Sequence, residues 1–117
     1  MTHKEFVPYA EALALKELHF DEPCLGIHYN EGLNPSFMMA TQYGEHGAAA
    51  NGGILAPLYQ QAFRWFREKY NLNYVIVKAE SWFYTINGCN TQEGFNTYEE
   101  AELQCLKKLI EITKEKE

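Results

Sequence analysis

Cysteine, proline and surplus positive charge are all scarce in this 117-residue chain, and the familiar chemical signatures are missing. The three cysteines, Cys24, Cys89 and Cys105, form no C-x-x-C pair and have no histidine at ligand spacing, which argues against a metal site. An odd number of thiols fits a reducing compartment rather than a disulfide framework. Ten basic residues against 16 acidic ones give a formal charge of −6. That balance disfavours nonspecific binding to nucleic acid or to an anionic membrane surface, both of which draw on an excess of Lys and Arg. No apolar run approaches the roughly 18 to 20 residues of a membrane span, and MTHKEFVPY lacks the apolar core of a secretory signal. A soluble, cytoplasmic protein is expected. There is no G-x-x-x-x-G-K-[ST] loop, no G-x-G-x-x-G, no H-E-x-x-H and no G-x-S-x-G, so no cofactor and no catalytic residue is assigned.

Aromatic residues, by contrast, are plentiful at 15%. They concentrate first in APLYQQAFRWFREKYN, Ala56 to Asn71, where Tyr59, Ala62, Phe63, Phe66 and Tyr70 recur at helical spacing behind Pro57, a residue suited to a first turn. Gln60, Arg64, Arg67 and Glu68 form the polar side of this central helix, and Leu58 and Trp65 widen its apolar side.

A first helix is expected over Val7 to His19, and a short strand over Cys24 to Tyr29. Leu25 and Ile27 are expected to face the core, which turns His28 to the opposite, partly exposed face. Ser36 to Thr41 is a second strand candidate, weakened by Pro35 before it. Gln42 to Gly53, with four of the eight glycines, is expected to be a flexible loop or lid. Tyr74 to Ala79 and Trp82 to Ile86 are dense in β-branched and aromatic residues and should form a hairpin, followed by a polar loop over Asn87 to Asn96. Thr97 and Glu100 have the spacing of a capping box, opening a last helix with Tyr98, Ala101, Cys105, Leu109 and Ile112 in one stripe and a frayed tail over residues 113–117. The order helix, one or two strands, helix, two strands, helix predicts a single α+β domain, with an antiparallel sheet of three or four strands and three helices.

Arg64 and Arg67 lie close enough on the central helix to address one anion. Trp65, Tyr59, Trp82 and Tyr84 offer flat surface for a base. His28 on its strand and His46, beside Glu45 in the flexible loop, are the candidate acid/base groups. These residues suggest a small anionic or nucleotide ligand. The number of rings also exceeds what one small core needs, which points to a homo-oligomer or another protein partner.

The segments PYAEALALKELHFDEPC, APLYQQAFRWFREKYNL and TYEEAELQCLKKLIEI together resemble a group of small uncharacterised proteins encoded by gut bacteria, their prophages and phages. The resemblance implies a mobile-element context. Small phage-borne proteins without catalytic motifs often inhibit host defence, by binding a host protein or sequestering a signalling nucleotide. The leading expectation is therefore a non-enzymatic, oligomeric binding protein. The alternatives are a small phosphodiesterase or hydrolase using His28 or His46, and a structural adaptor.

Overall fold

Among the described residues every strand is antiparallel to its neighbours, and the strands form two sheets of three where the sequence suggested one of three or four. The computed structural model describes residues 5–29, 32–40 and 52–116. The elements are α1 (Tyr9–Glu17), β1 (Cys24–Tyr29), β2 (Gly32–Ala40), β3 (Ile54–Ala56), α2 (Tyr59–Tyr70), β4 (Tyr74–Lys78), β5 (Trp82–Ile86), β6 (Cys89–Phe95) and α3 (Tyr98–Lys116). This is an α+β protein, with three helices among the described residues. The chain falls into two compact units, Met1–Ala62 and Phe63–Glu117.

In the first unit β1 is the central strand, flanked by β2 and β3. Pro35 sits in β2 opposite Gly26, and β2 is an edge, where the missing N–H is tolerated. The three residues of β3 are all buried and α1 packs against them. Pro57 does not open the central helix as expected. Its carbonyl accepts the Val7 N–H at 2.8 Å, while Leu58 bridges to Phe6, so this stretch is extended and α2 begins at Tyr59. The same contact holds Phe6 and Val7 extended, which delays α1 to Tyr9. Its far end closes with His19 at φ 70°, the His19 N–H reaching the Lys16 carbonyl and the Phe20 N–H reaching that of Leu15. The Phe6 ring lies on the backbone at Gly26, where a Cβ would come within 2.7 Å of it.

In the second unit the sheet order is β4-β5-β6, and α3 covers one face. The expected polar loop over Asn87 to Asn96 is instead a turn and a strand. Ile86 pairs with Cys89 across the two residues Asn87 and Gly88, at φ 53° and 73°. Both central residues of such a turn must adopt positive φ, which Asn and Gly tolerate best. The Asn87 side chain adds to this: Oδ1 accepts the Asn73 N–H at 2.8 Å and Nδ2 donates to the Asn71 carbonyl at 3.2 Å. Thr97 caps α3 as expected, its Oγ1 accepting the Glu100 N–H at 3.1 Å. The helix then runs through Lys116, and Thr113, in the segment expected to fray, is buried with its hydroxyl donating to the Leu109 carbonyl.

Candidate functional site

Of the rings expected to form a stacking surface, Tyr59, Trp65 and Tyr84 are only 7%, 6% and 3% exposed. Tyr59 belongs to the first unit. Trp65, in the second, meets Phe66 and Tyr70 edge-on, with Lys69 Nζ 5.2 Å from its ring centre. Tyr84 stacks on Phe95 at 6.0 Å. Rings satisfied by other rings and a neighbouring cation are packing elements. Trp82 is half-buried and meets Tyr98 edge-on at 5.5 Å.

Both arginines are exposed, but they serve different neighbours. Arg64 Nε lies 3.6 Å from Glu68 Oε1, one helical turn on, while the charge of Arg67 acts on the Tyr74 hydroxyl. His28 also departs from expectation. Cys24, Gly26 and His28 form the buried face of β1, and Leu25, Ile27 and Tyr29 the half-exposed one. His28 turns inward because a hydrogen-bond partner waits there: Nε2 donates to the Val7 carbonyl at 2.8 Å, and Tyr9 meets the ring edge-on. A buried polar side chain with such a partner is stable in place. His46, and all of the glycine-rich loop but Gly52 and Gly53, lie outside the described residues.

Two of the three thiols are closed to chemistry. Burial pushes Cys24 up to about 12, helped by the charge of Glu22, and its Sγ donates to the Glu22 carbonyl at 3.2 Å. Burial likewise raises Cys105 to about 12. At neutral pH both stay protonated, so neither is a nucleophile. Cys89 is exposed.

A titratable cluster that the sequence reading passed over lies near the start of α3. Glu102 is half-buried, and desolvation raises its carboxyl from 4.5 to about 7 although the Tyr98 hydroxyl donates to it. Tyr98 is raised to about 12, by burial first and by the Glu102 charge next. Tyr74 is raised by burial first, with the neighbouring Cys105 and Glu102 adding to it against the pull of Arg67. Tyr98, expected in the apolar stripe of α3, is 38% exposed. The stripe drifts instead through Ala101, Cys105, Leu106, Leu109 and Ile110 to Thr113.

The second sheet is also open on one side. Alternation places Trp82, Tyr84 and Ile86 toward α3, and Val75, Val77, Phe83 and Thr85 on the outer face. Val75 and Val77 are 50% and 39% exposed. Val75 pairs with Thr85 and Val77 with Phe83, and Thr91 Oγ1 lies 3.2 Å from Thr85 Oγ1, so strand β6 continues the same face. Among the described residues no group of three His, Cys, Asp or Glu is placed to hold a metal ion, and no helix is long and apolar enough to cross a membrane. Comparison with protein-family models, curated proteins and solved structures finds no match to this chain.

Proposed function

We propose that this is a non-enzymatic binding protein whose partner is another protein, docked on the outer face of the β4-β5-β6 sheet. The observation that carries this reading is the pair Val75 and Val77, well exposed beside Phe83 on a sheet whose other face is already packed. Covering apolar surface stabilises a complex by roughly 25 cal/mol per Å² before the costs of association. Burial of Tyr59, Trp65 and Tyr84 removes the platforms on which a nucleotide base would stack, which favours the protein partner over a sequestered nucleotide. The engaged Nε2 of His28 and the protonated thiols weigh against a hydrolase. Given the resemblance to phage and prophage proteins, the partner belongs to the bacterial host, its cytoplasm is the place of action, and restraint of a defence protein is the purpose.

The test is the double variant Val75→Thr, Val77→Thr, which keeps side-chain shape and strand propensity but places a hydroxyl where the partner would cover a methyl. A host protein retained by the wild-type chain and by Glu115→Lys, a control on α3, should be retained at least tenfold less by the double variant. Equal retention by all three chains would overturn the reading. A cyclic nucleotide or ADP-ribose derivative recovered unchanged after denaturing the loaded protein would restore the nucleotide version.

A further inference from the structure

The outer face ends in a hollow of about 500 Å³ at the turn between β4 and β5, lined in part by Glu80, Ser81, Phe83, Thr91 and Glu93. Its shape is held by the protein's own bonds. Ser81 Oγ accepts the Gly94 N–H at 3.0 Å, tying the turn to β6, and the Ala79 N–H reaches the Ser81 carbonyl at 3.0 Å. Glu80 and Glu93 are both exposed, and neither forms a salt bridge among the described residues. Phe83, half-buried, adds a ring to the same wall and continues directly into Val77, its partner across the strands.

We infer that the partner on this face is a polypeptide segment presenting an arginine into the hollow, with apolar side chains alongside it on Val75 and Val77. Two carboxylates and an aromatic ring are what a guanidinium takes: the carboxylates accept its fork of N–H donors, and the ring offers a flat surface to its plane. The same carboxylates repel phosphate. They also disfavour a second copy of the chain, which would bring another −6 body against them. This inference rests on the outer face being the docking surface, and adds the chemistry of the occupant.

The probe is a short synthetic peptide of valines around one arginine, titrated into the full chain and followed by amide NMR shifts. The control is the same peptide with glutamate for arginine. The arginine peptide should shift Ser81, Phe83 and Glu93, and its affinity should fall about tenfold in Glu80→Gln, Glu93→Gln and fall again as salt is raised. The glutamate peptide should leave these amides unmoved. Equal binding of both peptides, or no shift from the arginine peptide at millimolar concentration, would overturn the inference. If the valine-to-threonine variant loses binding while the glutamine variant keeps it, the face docks a partner but not a basic one. If neither variant weakens binding, the docking face itself is wrong. A dimer in light scattering that the valine-to-threonine variant dissolves would assign the face to a second copy.

Discussion

Glu102 carries a pH dependence that can be worked out from its surroundings. Its carboxyl titrates at about 7 in the folded protein against an ordinary value of 4.5, so between those values the folded state binds more protons than the unfolded one. Stability therefore falls as pH rises through that window and levels off above it. The full shift corresponds to about 3 kcal/mol, which exposure of half the group to water reduces to roughly 1 kcal/mol. Glu102→Gln keeps an acceptor for the Tyr98 hydroxyl and cannot ionise. Urea unfolding should show it about 1 kcal/mol more stable than wild type at pH 8 and equal to it at pH 4. Parallel pH profiles for the two proteins would contradict the assignment. Glu102 could not be found by motif search, because its shift arises from burial beside Tyr98, and burial is a property of the folded chain.

Among the elements, the Asn87–Gly88 turn is the one whose residues do the most for the site, since it brings β6 alongside β5 and so completes the outer face. Asn87→Ala places a Cβ residue with no local polar group at φ 53° and deletes the bonds to Asn73 and Asn71. The expected loss is about 2 kcal/mol, half from backbone conformation and half from the bonds. Asn87→Gly should lose only about 1 kcal/mol, because it keeps the conformation. Equal losses for the two variants would show that conformation contributes nothing. Asn-Gly is a strong hairpin signal, yet CNTQEGF after it lacks apolar alternation, so the whole of Asn87 to Asn96 reads as a polar loop and both the turn and the strand were hidden. Exposure explains this: six of the seven residues of β6 are exposed and the last is half-buried, leaving little for patterning to record. In contrast, β4, β5 and the start of α3 were legible, because β-branched residues and the Thr97 cap act locally. The inward turn of His28 was not, because the group that fixes it, the Val7 carbonyl, is 21 residues away.

On the scale of the whole chain, each compact unit contains one deeply buried thiol, Cys24 in the first and Cys105 in the second, while Cys89 is open. Native protein treated with a thiol reagent should be modified once, at Cys89, and at all three cysteines after unfolding, as read by mass spectrometry of the labelled peptides. Rapid modification of Cys24 or Cys105 in the native protein would show that its unit opens far more readily than its packing implies. The class of fold was legible at this scale; the division into two sheets was not. The placement of individual rings was hidden for a related reason. The rings of the second unit pair with one another, as Phe63 does with Tyr74 at 4.1 Å, and two of three candidate rings there fill its interior rather than its surface.

The position of Cys89 has a practical use. Its carbonyl accepts the Thr85 hydroxyl, so the thiol begins the strand that borders the outer face. Because Cys89 pairs with Ile86 next to the Asn87–Gly88 turn, a solvatochromic dye attached at that one sulfur would convert opening of this end of the hairpin into a change of colour without any engineered substitution.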